Sequence, residues 1–189
     1  MIGSHNSMSY LPPKNLWGKI TRLWNKCQDK NLKEQHEAGV EYFDIRIQLY
    51  INSNDDYEWH FVHNKVDYGK VSNYVWNWFG NNKCPIRIIF DQRSKPNNVN
   101  KRIEIFTDYI ALIKRDFKVN IDSAITYWDW KEYCKPFIEV KEFHASASAK
   151  WYQYLLGCKW FALTYAAKYK YKYPDIDECI NEVLLLDYV

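Results

Sequence analysis

The sequence lacks the features that mark several common classes of protein. Its net charge is only +3, and the 26 basic residues are spread along the chain without a basic block, which argues against a nucleic-acid-binding protein. No apolar run approaches the length of a membrane span, and no basic segment followed by an apolar one opens the chain as an export signal would. As written, the sequence predicts a cytoplasmic protein; a secreted protein whose leader has been removed is the alternative.

Cysteine and glycine are scarce as well. The five cysteines are widely spaced, odd in number and include no CxxC pair, so they predict buried, reduced thiols rather than a zinc site or a disulfide framework. Only six glycines are present, and no glycine-rich loop follows an early strand pattern, which argues against a nucleotide-binding sheet. Two of them, Gly39 and Gly80, stand just past helical patterns, where a left-handed residue commonly ends a helix.

What the chain does contain is an alternation of short apolar runs with longer amphipathic stretches. The predicted strands are Ile2–His5, Tyr42–Gln48, Trp59–His63, Ile86–Asp91, Ala124–Trp128, Phe137–Phe143 and Glu182–Tyr188. The predicted helices are Leu16–Cys27, Leu32–Ala38, Lys70–Phe79, Asn100–Phe117, Ala147–Leu156, Trp160–Lys168 and Ile176–Asn181.

This alternation predicts one α/β domain over residues 1–189, built from βα units around a parallel sheet. About eight such units would close into a compact (β/α)₈ TIM-type barrel. At 189 residues the chain falls just under the usual lower bound of about 200 for that fold, so the barrel would have short or missing helices. An open doubly wound sheet is the alternative.

The segment Tyr42–Ile47 carries two opposite charges within an apolar strand pattern. On a strand, Asp44 and Arg46 point to one face and Phe43 and Ile45 to the other. Burying charges is costly unless they are paired or in use, so the pair predicts either a structural salt bridge or a functional site.

Two histidines and a second carboxylate also stand at predicted strand ends. His5 ends the first strand before a loop of small polar residues, His63 ends the third, and an apolar run ends at Asp187. Catalytic groups gather at strand C-termini in a barrel, and a carboxylate commonly orients an imidazole. Each histidine taken alone is also compatible with an ordinary polar position, so the residues by themselves leave both interpretations open.

Four segments together resemble the phosphatidylinositol-specific phospholipase C X-domain superfamily. Gly3–Ser7 resembles its opening GTHDS or GTHNS motif, and the run GVEYFDIR over Gly39–Arg46, with Gln28, Leu32 and Gln35 before it, resembles its GVRYFDIR block. Phe61–His63 resembles the strand that bears the second histidine, and Leu186–Val189 resembles the terminal strand. The matches come in family order from residue 3 to residue 189.

The resemblance implies a role for each residue of the motifs. His5 would be the general base, with Asp187 holding its other ring nitrogen. His63 would be the general acid, assisted by Asp44. Arg46 would bind the phosphate and stabilise its developing charge, in the place that a calcium ion takes in other members of the family. The chain therefore resembles the metal-independent, bacterial-type members, and we expect neither a metal nor a cofactor.

Three positions depart from the family pattern. Asn6 replaces an aspartate that bacterial members often have, which places any role as part of a composite acid in doubt; it is a candidate substrate-binding residue together with Arg46. Asn64 stands where the family usually has glycine. Asp91 falls near a position that is acidic in the metal-using members, which leaves a divalent ion there as an open alternative.

The function implied by the resemblance is cleavage of a phosphatidylinositol-like phospholipid by general acid–base catalysis, giving diacylglycerol and a cyclic inositol phosphate. The expected partner is a phospholipid or small phosphodiester substrate, with transient contact to a membrane surface through exposed aromatics. A metal-dependent glycerophosphodiester phosphodiesterase is one alternative. A catalytically weak module that binds a phosphorylated ligand is another.

Overall fold

The structure, a computed structural model, describes residues 1–51, 56–91, 98–126, 139–142 and 182–186. Within these ranges the strands are β1 (Ile2–Ser4), β2 (Tyr42–Ile51), β3 (Tyr57–His63), β4 (Val66–Lys70), β5 (Ile86–Phe90), β6 (Ile121–Thr126), β7 (Glu139–Glu142) and β8 (Glu182–Leu186). The helices are α1 (Leu16–Asn25), α2 (Leu32–Glu37), α3 (Asn73–Asn82) and α4 (Val99–Phe117). None of these helices is long and apolar enough to cross a membrane.

All eight strands join one mixed sheet. Six of them are parallel neighbours in the order β6, β5, β2, β1, β8 and β7, so their carboxyl ends meet at one edge. The other two form an antiparallel meander, because β3 runs back along β2 and β4 runs back along β3. The predicted α/β class is confirmed. No pairing joins β6 to β7 in the described part of the chain, so closure into a barrel stays a prediction.

The position of β3 decides where the site forms. Ile47 pairs with Phe90 of β5 and also with Phe61 of β3, so β3 lies on the edge of β2 opposite β5. The same edge carries β1 at its start, where Ser4 pairs with Phe43. β1 and β3 therefore approach each other end to end along one edge of β2.

One face of the sheet carries the hydrophobic core, because side chains alternate along each strand. Phe43, Ile45 and Ile47 of β2 pack in one cluster with neighbouring side chains of β5 and with α3 and α4. The residues that the other elements contribute to this cluster include Ile86, Ile88, Phe90, Val75, Trp76, Phe79, Phe106, Ile110 and Ile113. Each such side chain stabilises the fold by about 1.5–3 kcal/mol relative to exposure. The opposite face of β2 consequently carries Asp44 and Arg46, as the alternation predicted.

Gly80 corrects one expectation about helix ends. Helix α3 continues through Gly80 to Asn82 and ends at Lys83, whose φ of 55° supplies the left-handed cap. A Cβ at Gly80 would lie 1.9 Å from the carbonyl oxygen of Phe117 at the end of α4, so this glycine serves close helix packing. Gly39, with φ 94°, follows α2 as predicted.

The segment between His63 and Lys70 is a further correction. The sequence predicts a turn there and a helix from Lys70, whereas the structure has strand β4, with Val66 and Tyr68 buried at alternate positions, and α3 begins at Asn73. Asn64, with φ 58°, makes the tight turn between β3 and β4 that a glycine commonly makes. β6 also begins at Ile121, three residues before the predicted start at Ala124. The helices predicted within residues 147–181 lie outside the described residues.

Candidate active site

Two histidines converge at the gap between β1 and β3. His5 follows the last residue of β1, and His63 is the last residue of β3, which arrives along the same edge of β2 from the opposite direction. Their ring centroids lie 5.7 Å apart with the rings nearly perpendicular, and both side chains are buried. The antiparallel course of β3 brings His63 back beside the first half of β2.

Asp44 and Arg46 lie on the stretch of β2 that borders this gap. The Nε of Arg46 donates to Oδ2 of Asp44 at 3.1 Å, and the Nε of Arg87 on β5 donates to Oδ1 at 2.9 Å. Asp44 is fully buried, and both arginines are nearly so. Burial by itself would raise the pKa of Asp44, but the guanidiniums of Arg87 and Arg46 outweigh it and hold that pKa well below its usual range. Asp44 is therefore an ionised anchor for two cations.

His5 is held by this charged network and by the loop that follows it. Nη2 of Arg46 lies 2.9 Å from Nε2 of His5. Since a guanidinium can only donate, Nε2 is the acceptor in this contact. The amide of Gln28 donates to the carbonyl oxygen of His5 at 3.0 Å, and the backbone N–H of Asn6 donates to Oδ2 of Asp44 at 3.1 Å.

His63 is held from a different direction. Its Nδ1 donates to the carbonyl oxygen of Asn25 at the end of α1, at 2.9 Å, and the hydroxyl of Tyr68 donates to the same oxygen at 3.1 Å. Sγ of Cys27 lies 3.7 Å from Nδ1. This bonding leaves Nε2 as the nitrogen of His63 that can reach a ligand.

The environment of His63 favours its neutral form. Burial is the main cause that lowers the pKa of His63 well below its ordinary value, and Arg46 and His5 lower it further. The resemblance implied that Asp44 assists His63. The hydrogen-bond partner of Nδ1 is the carbonyl of Asn25, while the charge of Asp44 acts on the imidazole by favouring its protonated form.

Asn6 and Asp91 are two further buried polar residues. Asn6 adopts φ 44°, and neither its Oδ1 nor its Nδ2 has a hydrogen-bond partner in the described part of the chain. A buried amide in this state is suited to a ligand or a water molecule. Asp91 follows β5, and its N–H donates to the carbonyl oxygen of Ile47 at 2.8 Å. Within the described ranges no group of three or more His, Cys, Asp and Glu side chains could hold a metal ion.

The structure thus brings His5, His63, Asp44, Arg46 and Asn6 together, while Asp187 lies outside the described residues. Arg87 was missed, although one signal was available. Within Ile86–Asp91 the same alternation that separates Asp44 from Phe43 puts Arg87 and Asp91 on the face opposite Ile86 and Ile88. The carbonyl of Asn25 leaves no signal of this kind, because every residue has one.

Chemically, the site combines two imidazoles about a common point with a guanidinium between Asp44 and His5. One imidazole can accept a proton while the other donates one, and the guanidinium can hold an anion such as a phosphate between them.

The chain is similar in fold to solved structures of bacterial phosphatidylinositol-specific phospholipase C. The enzyme from Listeria monocytogenes is 13% identical with a TM-score of 0.59, and the match covers 100% of this chain and 87% of that one. A pentafluorophenylalanine-containing form of the enzyme from Staphylococcus aureus is 14% identical with a TM-score of 0.60, covering 100% of this chain and 85% of that one. No family model and no curated protein matches the sequence. At these identities the likeness establishes the fold.

Proposed function

We propose that the protein cleaves a phosphatidylinositol-like phospholipid at its phosphodiester bond, giving diacylglycerol and a cyclic inositol phosphate. The observation that carries the proposal is the close approach of the His5 and His63 rings, with the Arg46 guanidinium in contact with His5. The shared fold with the bacterial enzymes supports it. The finer fold assignment, a compact (β/α)₈ barrel, is part of the same proposal and is supported by the six parallel strands in one sheet.

In the first half of the reaction His5 acts as general base. Its Nε2 takes the proton of the inositol hydroxyl next to the phosphate, and the oxygen of that hydroxyl forms the new bond to phosphorus. The Nη2 of Arg46, which in the free protein contacts this nitrogen, turns to a non-bridging phosphate oxygen when substrate binds. Asp187 is proposed to orient His5. The pairing of β8 with β1 supports this, because it ends at Leu186 and Ser4, the residues just before Asp187 and His5.

In the second half His63 acts as general acid. The bond from phosphorus to the glycerol oxygen breaks, and Nε2 of His63 delivers a proton to that oxygen, so that diacylglycerol leaves as an alcohol. The low pKa of His63 in the free protein means that the imidazolium must be stabilised in the complex. The negative charge of the bound phosphodiester supplies that stabilisation, because an anion nearby favours the charged form of a histidine.

Arg46 supplies positive charge that a metal would otherwise provide. Its guanidinium is permanently charged and matches two oxygens of a phosphate. Asn6, whose buried amide has no hydrogen-bond partner among the described residues, is proposed to contact the substrate beside it. The metal-dependent alternative rests on Asp91, a buried carboxylate at the end of β5.

Helix α1 provides a surface for contact with lipid. Leu16, Trp17 and Ile20 form one face of it and are 72%, 52% and 62% exposed. Apolar side chains at helical spacing with this exposure suit a membrane interface, where a tryptophan is at home between water and acyl chains. We propose that this face meets the membrane transiently while the site takes its substrate.

The experiment that tests the function is time-resolved phosphorus NMR on phosphatidylinositol vesicles, with and without EDTA. A cyclic phosphodiester should form first, because attack by a neighbouring hydroxyl avoids about 7–11 kcal/mol of the barrier that an outside water would face. A 2-deoxyinositol analogue should be inert. Direct formation of the monophosphate, with solvent oxygen incorporated, would mean hydrolysis. Loss of activity in EDTA, restored by magnesium or calcium, would favour the metal-dependent alternative, and no turnover on any phosphodiester would favour the binding module.

A further inference from the structure

Arg87 and Arg46 both donate hydrogen bonds to the carboxylate of Asp44. Arg87 is directly opposite Asp44 in the register of β5 with β2, and it is 4% exposed. Its Nε donates to Oδ1 of Asp44 at 2.9 Å, while Nε of Arg46 donates to Oδ2 at 3.1 Å. The N–H of Asn6 also donates to Oδ2. Each carboxylate oxygen is thereby assigned to a different guanidinium.

This division determines what the guanidinium of Arg46 can do. Nε and Nη2 lie on one edge of a guanidinium, and such an edge commonly holds both oxygens of a carboxylate through two parallel bonds. In this site Nε of Arg46 donates to Oδ2 of Asp44, and Nη2 lies 2.9 Å from Nε2 of His5. Oδ1, the oxygen that Nη2 would take in such a pair, accepts from the Arg87 guanidinium, and a second cation at the same oxygen would be repelled by the first.

We infer that Arg87 is a positioning residue: by occupying Oδ1 of Asp44 it prevents a two-bond pair between Arg46 and Asp44 and keeps Nη2 of Arg46 directed at His5 and the bound phosphate. The inference rests on the proposed function for its catalytic consequence. Its structural content, the orientation of Arg46 relative to His5, does not depend on which substrate is used.

A lysine cannot replace Arg87 in this role. It keeps the positive charge near Asp44 but has neither the planar guanidinium nor its fixed N–H directions, so its hold on one chosen oxygen is weaker. In Arg87→Lys we expect the Arg46 guanidinium to turn onto both oxygens of Asp44. The transition state then loses part of the charge stabilisation that Arg46 provides. Removing one such donor outright costs about 10²–10³ in kcat, so a misdirected one should cost about 10- to 100-fold.

The activity test uses Arg87→Lys, Arg46→Ala and the double variant, with kcat and KM measured separately. If Arg87 acts through Arg46, Arg87→Lys should lower kcat more than it raises KM, and it should cost nothing further in the Arg46→Ala background. The matched control is Arg102→Lys on α4, whose guanidinium contacts Asn98 and the carbonyl of Leu49 instead of Asp44. An additive loss in the double variant would mean that Arg87 contacts the substrate itself and would overturn the inference.

A second measurement does not require turnover. Nitrogen-15 NMR of labelled imidazoles reports whether Nε2 of His5 accepts a hydrogen bond from Arg46. This signal should change in Arg87→Lys and stay unchanged in Arg102→Lys. An unchanged His5 signal and unchanged kcat, with only a lower melting temperature, would show a purely structural role and refute the inference. If the wild-type protein cleaves no phosphodiester, the proposed function fails, and the His5 signal still decides the role of Arg87. Should Arg87→Lys not fold, Arg87→Gln is subjected to the same two measurements with the same criteria.

Discussion

The two histidines of the site occupy surroundings of different kinds. His5 continues a parallel strand and is held by charged side chains, with Arg46 at one ring nitrogen. His63 ends an antiparallel strand and is held by a backbone carbonyl at the end of α1, together with a buried phenol that shares it. In the proposed reaction these identical side chains take opposite roles because of what supports them, one beside a fixed cation and the other beside a neutral dipole.

The two histidines also differ in the charge that their proposed roles require. A base needs a lone pair, and Nε2 of His5 presents its lone pair to Arg46, which releases it when the guanidinium turns to the substrate phosphate. An acid needs a proton, and the free protein disfavours that proton on His63. In the proposed reaction both histidines therefore depend on the phosphodiester anion, His5 for the release of its lone pair and His63 for its proton.

Removal of either imidazole should have the largest effect. His5→Ala and His63→Ala should each lower kcat by about 10²–10⁴-fold or more, because each proton transfer loses its catalyst. The double variant should be little worse than the poorer single one, since the two groups act in one mechanism. Turnover is measured on phosphatidylinositol vesicles. His60→Ala is the control: His60 lies on the same strand β3 but pairs with Asp67. Near wild-type rates in either single variant would contradict the site.

Substitution of Arg46, which contacts His5, should have the next largest effect on kcat. Arg46→Ala should lower kcat by about 10²–10³-fold, the range for loss of a group that stabilises transition-state charge. Arg46→Lys should recover little of this, since an ammonium lacks the planar fork. EDTA should leave the wild-type rate unchanged in the same assay. A full rescue by lysine would show that charge alone matters and that the shape of the guanidinium does not.

The pH dependence of kcat and kcat/KM tests the protonation of His63. Because the pKa of His63 is lowered in the free protein, its acid form is lost as pH rises through a value below about 6.5, and kcat/KM should fall there. A bound phosphodiester anion raises that pKa, so kcat should fall at a higher pH than kcat/KM does. The two profiles are measured on a monomeric short-chain phosphatidylinositol. Coincident falling limbs would mean that the substrate does not help His63 to hold its proton.

Trp17→Ala should have the smallest effect, and only at a membrane. Trp17 lies on α1, the helix whose last carbonyl holds His63, and about half of its surface is exposed. Loss of the contact between the Trp17 side chain and the membrane should lower the rate of turnover on vesicles about five- to tenfold. The rate on the short-chain substrate should not change. Tyr74→Ala, an exposed aromatic on α3, is the control. An equal loss on both substrates would place the effect in the site instead of at the interface.

The sequence predicts one side of the comparison much better than the other. The alternation over Phe43–Arg46 determines which side chains are buried in the core and which face the site, and β2 follows it. The end of β3 was predicted correctly, but its direction was not, because βα alternation suggests a parallel sheet. Only the pairing of Ile47 with Phe61 shows how His63 returns to the site.

The remaining misses have physical causes. Arg87 sits within the apolar run Ile86–Phe90, which reads as a buried parallel strand in which a single charge carries little weight. Strand β4 contains Asp67 and Gly69, residue types that favour turns, and its pairing with β3 overrides that preference. The support of His63 comes from a main-chain carbonyl, which no side-chain pattern can encode.

Because β1 and β3 lie end to end along β2, the register of β3 restricts the distance between His5 and His63 to a few separate values. On that edge of β2, pairing with β1 ends at Phe43 and pairing with β3 begins at Ile47. Between them, the N–H of Ser7 donates to the carbonyl oxygen of Asp44 at 2.9 Å. A register shift of one residue would turn His63 to the opposite face, and a shift of two would move it by about 6.8 Å. The distance between the histidines therefore cannot drift gradually through strand sliding. Variants of this protein with a wider or narrower site must obtain it from side-chain rotamers or from the Asn64–Lys65 turn.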